Sequence, residues 1–236
     1  MNNTFPPVSP KLFQGARIAD VGCVNGAWIM EMASQYPECQ FIGIDTATEL
    51  SPDPLALPNV QFESTEDLKA LPLDDESMDV VHMRALNLRT PVDSWLPTLR
   101  EVHRVLKPGG VVQLVDLHNV PAGTVLIESF IETIRAIWNA ENEDYDMVLK
   151  LPNLLQRAGF QILQSKKKKI YFASDGKLGE TFMAVMLQWY EANQSFLAPR
   201  MGLEPDDYRL RVEMVCAQCV KHNAHVDWYA YIAKKF

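Results

Sequence analysis

Four cysteines in 236 residues (Cys23, Cys39, Cys216 and Cys219) are too few to staple a chain of this size into a disulfide framework. A reduced, cytoplasmic setting is therefore expected. No apolar run approaches the roughly 18–20 residues needed to cross a bilayer. The opening MNNTFPPVSP lacks a basic start followed by an apolar stretch, so no secretory signal is expected. Basic side chains are outnumbered, 22 Lys and Arg against 30 Asp and Glu, for a net charge of −8. That balance excludes a broad electrostatic footprint for nucleic acid. What the chain does have is apolar residues, 47% against 22% charged, enough for a sizeable core without staples. A soluble domain acting on a small molecule is expected, with no membrane partner and an oligomeric state that the sequence leaves open.

Between Ala16 and about Asp116, short β-branched runs alternate with helical stretches. ARIADV, QFIGID, NVQFES, MDVVHM and VVQLVD read as five strands. Trp28, Ile29, Met32 and Ala33 recur at helical spacing after Gly26, as do Leu99, Val102, Val105 and Leu106 after Ser94. The second helix is expected to break at Lys107-Pro108-Gly109-Gly110. A proline-rich connection through Pro52, Pro54 and Pro58 joins the second and third strands. Strand and helix in alternation imply a parallel sheet with helices on both faces. After Asp116 the pattern changes. Residues 123–139 and 144–158 read as helices, GFQILQSKKKKIYF as a long strand, 178–197 and 205–222 as helices, and HVDWYAYIA as a closing strand. One domain, 1–236, is expected, with a first half at 16–116 and an embellished second half at 117–236.

The segment Asp20-Val21-Gly22-Cys23-Val24-Asn25-Gly26 joins the first strand to the first of these helices. In a doubly wound sheet this junction lies at the carboxyl edge, beside the topological switch where ligands bind. Gly22 can let backbone approach a ligand, and Gly26 can let the helix start close to the strand. Asp45, closing the second strand, can accept hydrogen bonds from both hydroxyls of a ribose. An ordinary tight β–α turn with a strand-end Asp fits the same residues. A nicotinamide dinucleotide does not fit. Val24 and Ala27 stand where the G-x-G-x-x-G fingerprint needs glycine, so a nucleoside without phosphates suits the turn better.

In order and at suitable separations, DVGCVNG, FIGID, LPLDDESMDVVH, LREVHRVLKPGG and VVQLVD resemble the motifs of the class I S-adenosylmethionine-dependent methyltransferases. Trp28, the VVHMRAL segment and the helical insertion before the last strand are similar to fungal secondary-metabolism methyltransferases. The resemblance implies a Rossmann-like α/β fold of seven strands, mostly parallel with a C-terminal antiparallel pair (residues 159–172 and 225–233). It also implies helices on both faces and a helical insertion, 178–222, capping the acceptor site. The implied cofactor is S-adenosylmethionine, and the implied reaction is methyl transfer to a small organic acceptor. Asp20 and Gly22, with backbone near Gly26, would hold the methionine end. Asp45 would hold the ribose, and Asp67 or Glu66, with Leu68 beside them, the adenine. Met83 and Arg84 would line the methionine and acceptor side. Two departures stand out. Val24 replaces the family's middle glycine. About fifteen residues precede the first strand, so a cover is expected from elsewhere, from a partner, or not at all. A methyltransferase fold that has stopped methylating, and catalyses a cyclisation or rearrangement instead, is the alternative; a non-catalytic binding partner is another.

His118, at the end of the fifth strand, is the candidate general base if the acceptor must lose a proton; a plain loop histidine is the other reading. Trp138, Trp189 and Tyr190 on helices of the second half could sandwich a flat acceptor or pack a helix core. His82 on a buried strand and His103 on a helix face read as structural. Cys216-x-x-Cys219 with His222 and His225 has zinc-ligand chemistry, but lies on one continuous helix without a knuckle turn, so no metal is expected. The Lys166–Lys169 run reads as a solvated strand or an edge guard.

Overall fold

A computed structural model describes residues 4–13, 15–46, 57–87 and 89–236. Pro52 and Pro54 of the proline-rich connection lie outside the described residues.

In chain order, the first half consists of α1 (Ser9–Leu12), β1 (Arg17–Val21), α2 (Ala27–Gln35), β2 (Gln40–Asp45), β3 (Val60–Ser64), β4 (Met78–Arg84), α3 (Trp95–Val105) and β5 (Leu106–His118). The second half continues with α4 (Val125–Ala140), α5 (Met147–Arg157), β6 (Phe160–Tyr171), α6 (Gly176–Ala192), α7 (Gln194–Arg200), α8 (Pro205–Lys221) and β7 (His225–Lys235). The strands form one sheet in the order β3-β2-β1-β4-β5-β7-β6. The first five run parallel, and β7 lies antiparallel between β5 and β6. β1 is buried on both faces, as RIADV with its near-continuous apolar run requires of a central parallel strand.

The chain separates into two compact units, each drawn from discontinuous stretches. One comprises Met1–Asp116, Met147–Lys166 and Tyr229–Phe236; the other comprises Leu117–Asp146 and Lys167–Trp228. In the first, one sheet face packs Ala19, Val21, Ile44, Val81 and Met83 against Trp95, Leu99 and Val102 of α3 and Val148, Leu151 and Leu155 of α5. Pro152 sits inside α5 and supplies no N–H to the Val148 carbonyl one turn earlier. The Tyr231 hydroxyl of β7 donates to that carbonyl at 3.1 Å instead. Lys235, nearly buried, donates to the Leu106 carbonyl at 2.7 Å just past the end of α3. A cation there complements the negative end of the helix.

Two local expectations are corrected. Lys107–Gly110 do not separate a helix from a strand: β5 begins at Leu106 and carries these residues as an irregularity. Met78 faces Leu106 and Val80 already faces Val111, and Gly109 (φ 77°) lets the extra residues leave the ladder. The single helix expected at 178–197 is two, because the chain breaks at Asn193, whose side-chain amide donates to the Trp189 carbonyl at 2.8 Å. The segment before β1 packs onto the first unit. Val8 and Leu12 are buried, the Cys39 thiol donates to the Leu12 carbonyl, and the Phe5 N–H is held by Gln113. β6 is an edge strand on which Lys166–Lys169 are exposed, a placement that blocks pairing with another chain.

Candidate cofactor site

β2 and β4 flank β1 on opposite sides, so the chain leaves β1 at the switch point, where open α/β sheets place their ligand crevice. Residues 22–26 form the loop there. Gly22 (φ 78°), Val24 (φ 53°) and Gly26 (φ 71°) all have left-handed backbone. A β-branched residue in that region is strained, and the strain is held by hydrogen bonds. The Gly22 and Cys23 N–H groups donate to the Ile44 carbonyl at 2.7 and 3.2 Å, and the Val24 N–H donates to Asp45 Oδ2 at 2.8 Å. The Val24 side chain is 53% exposed, so the loop turns it outward.

The glycines are also required by their neighbours. A Cβ on Gly22 would overlap Leu86, and one on Gly26 would sit 2.6 Å from the Phe62 ring. Leu86 is placed by a second strained turn after β4. Ala85 has φ 55°, and Asp116 Oδ2 accepts the Leu86 and Asn87 N–H groups at 3.0 and 2.8 Å.

Asp20 and Asp45 differ. Asp45, buried, also accepts the Thr46 N–H at 2.8 Å on Oδ1, with the Arg89 guanidinium at 3.4 Å. Asp20, buried one residue before the end of β1, has no hydrogen-bond partner among the described residues. Burial pushes its pKa up to about 7; the Arg84 charge works against that and the Asp45 charge adds to it. Burial likewise pushes the Cys23 thiol up to about 12. A buried carboxylate without a donor is costly. In a crevice it is a place for a cationic ligand group.

The remaining expected residues divide. Met83 lies in the apolar core on the face with α3 and α5, so only its backbone is left for a ligand, whereas Arg84 is exposed. Leu68 packs against that core; Glu66 is exposed, and Asp67 is half exposed and paired to Lys69 at 2.9 Å. In the second unit Trp138, Trp189 and Tyr190 do come together. The ring centroids of Trp138 and Trp189 are 5.8 Å apart and those of Trp189 and Tyr190 5.3 Å, with Phe130 and Phe196 extending the cluster. His118 Nε2 lies 2.8 Å from Asp146 Oδ1, which Arg135 also reaches at 3.0 Å. Although burial raises the Asp146 pKa, its hydrogen bond to His118 and the Arg135 charge hold it below the usual carboxylate value. Cys216 and Cys219 are buried along α8, their thiols pushed up by burial to about 11 and about 12. Sequence reasoning missed Arg89, Leu86 and Asp146. Arg89 and Asp146 belong to no motif, Leu86 closes the VVHMRAL segment without a role assigned to it, and each acts through contacts made by distant chain.

Residues 18–110 match the family described as "Methyltransferase domain". The solved [4+2]-cyclase SpnF superposes with a TM-score of 0.60 at 23% identity, covering 94% of this chain and 74% of that one. This is a Rossmann-like methyltransferase fold. Over 117 residues the methyltransferase-fold chain is 29% identical to the secondary metabolism regulator LAE1 of Cochliobolus heterostrophus, covering 49% of this chain and 37% of that protein. It is 24% identical to the methyltransferase pytC of Aspergillus terreus, covering 97% of this chain and 74% of that one. The chain spans less than half the length of the first relatives it matches. The acidic residues at the carboxyl ends of β1 and β2 are compatible with S-adenosylmethionine, the cofactor that the sequence motifs imply. Asp20, buried and without a hydrogen-bond partner among the described residues, lies near the end of β1, and Asp45 closes the neighbouring β2. Among the described residues no helix is long and apolar enough to cross a membrane.

Proposed function

We propose that the chain transfers a methyl group from S-adenosylmethionine to a small organic acceptor, a natural-product intermediate. The observation carrying this reading is Asp20, a buried carboxylate without a hydrogen-bond donor among the described residues, beside a left-handed loop that Asp45 holds. When bound, the cofactor supplies a methyl already activated on a sulfonium, so the protein's work is orientation and exclusion of water. Asp20 balances the ammonium, and the exposed Arg84, whose charge acts on Asp20, lines the methionine and acceptor side. Asp45 keeps its hold on the loop while its carboxylate takes the ribose. Backbone at Gly22 and Gly26, with Glu66, Asp67, Leu68 and Met83 further along, completes the cofactor set. Trp138 and Trp189, partly exposed, offer flat surface to the acceptor, with the buried Tyr190 packed against Trp189. His118, oriented by Asp146, takes the acceptor's proton where the acceptor is an acid too weak to ionise alone.

Isothermal titration with S-adenosylmethionine and S-adenosylhomocysteine tests the binding half. The metabolites of a deletion strain compared with its parent test the chemistry. A product heavier by one CH₂ than the compound that accumulates without the gene supports methylation. An isomer in its place would replace this reading with the cyclisation alternative.

A further inference from the structure

On the sheet face opposite the α3 and α5 helices, His82 of β4 stands directly beside Asp20 of β1: the two are register partners in the parallel pair. Adjacent strands lie about 4.8 Å apart. The His82 ring is buried and stacked on Trp28 of α2, with centroids 3.7 Å apart and planes at 15°. Its tautomer follows from a chain of hydrogen bonds. The Phe5 N–H donates to Gln113 Oε1 at 3.1 Å, which turns the Gln113 amide nitrogen toward His82 Nδ1 at 3.2 Å. Nδ1 is then an acceptor. Burial, with the Arg84 charge nearby, holds the imidazole pKa well below its ordinary value, so the ring is neutral and its single proton sits on Nε2. That Nε2–H, shielded from solvent, has no acceptor among the described residues. The face thus carries a buried donor without an acceptor beside a buried acceptor without a donor, and the two do not satisfy each other.

A zwitterionic α-amino acid group answers both at once, giving ammonium hydrogens to one and a carboxylate to the other. We propose that His82 is a cofactor-binding residue, donating its Nε2–H to the methionine carboxylate while the neighbouring Asp20 takes the ammonium. This deepens the S-adenosylmethionine reading and rests on it. Because Nε2 is sealed from solvent, binding must shift the cover over this face. Phe5, tied to His82 through Gln113, is the part of that cover the hydrogen bonds identify.

The experiment uses the full chain, two substitutions and two probes. His82→Asn keeps a partner for Gln113 but has nothing at the Nε2 position, whereas His82→Gln places an amide N–H there. S-adenosylhomocysteine carries the amino acid group, and 5′-methylthioadenosine lacks it. Isothermal titration is expected to show S-adenosylhomocysteine weakened about tenfold to a hundredfold in His82→Asn and largely restored in His82→Gln. Methylthioadenosine binding should be unchanged in both. Equal loss for both probes would make His82 a packing residue and overturn the proposal. Unchanged S-adenosylhomocysteine binding in His82→Asn would overturn it while leaving the cofactor reading in place. No binding of either probe by the unsubstituted chain would remove that reading as well.

Discussion

Asp45 Oδ2 accepts the backbone N–H of Val24 at 2.8 Å, tying the end of the second strand to the most strained residue of the first β–α loop. The carboxylate that would grip the ribose is therefore also the clasp that shapes the loop beneath it. Asp45→Ala removes both functions. A loss of about a hundredfold or more in S-adenosylhomocysteine affinity is expected by calorimetry. Affinity within a factor of two of the unsubstituted chain would show that the nucleoside lies elsewhere.

Val24 gives a second prediction. Glycine adopts φ near 53° without the steric cost, of about 1–2 kcal/mol, that a branched side chain carries there. Val24→Gly should leave stability within about 1 kcal/mol, since relieved strain offsets the greater freedom of the unfolded chain. Because the side chain already points outward, cofactor affinity should change little. A large tightening in titration would show that Val24 crowds the ligand.

The raised pKa of Asp20 makes stability and binding run in opposite directions with pH. The folded chain holds the proton up to about 7, whereas the unfolded chain releases it near 3.8. The stability this gives is fully present below about pH 4 and lost as pH rises through 7, by up to about 4 kcal/mol. Cofactor binding needs the carboxylate and should strengthen over the same rise. Asp20→Asn should therefore flatten the pH slope in urea denaturation between pH 5 and 8, gain stability at pH 8, and bind S-adenosylhomocysteine weakly at both. Arg84, Asp45, Cys23 and His82 surround Asp20 and set the remaining slope. An unchanged slope in the variant would place the titrating group elsewhere.

Tyr231→Phe tests the fold. The hydroxyl serves the Val148 carbonyl that Pro152 leaves without a helical donor. Losing it should cost about 1–3 kcal/mol in chemical denaturation, and Pro152→Ala in the same background should recover part of that cost by restoring the helical bond. No recovery would mean that the two residues are not linked through this carbonyl.

The five parallel strands were legible because each is a short apolar run buried by neighbours on both faces, and the motifs fell on their carboxyl ends in order. Asp20 and Asp45 were legible for the same reason: strand-end carboxylates beside a glycine turn are local features. What pairs with them was not. Arg89 reaches Asp45, Leu86 fills the space beside Gly22, and Asp146 meets His118 only after distant chain is brought together. The His82 environment needs α2, β5 and the N-terminal segment at once, so sequence alone gave a buried histidine and no more. The break at Asn193 was hidden because the apolar spacing continues across it.

The central claim is that a nucleoside sulfonium binds over the carboxyl ends of β1 and β2. A crystal structure with S-adenosylhomocysteine tests it most directly. The ribose hydroxyls should lie within hydrogen-bond distance of Asp45 and the ammonium within reach of Asp20. Finding Leu86 and Phe62 still filling the crevice, with the ligand absent or bound to other residues, would contradict it.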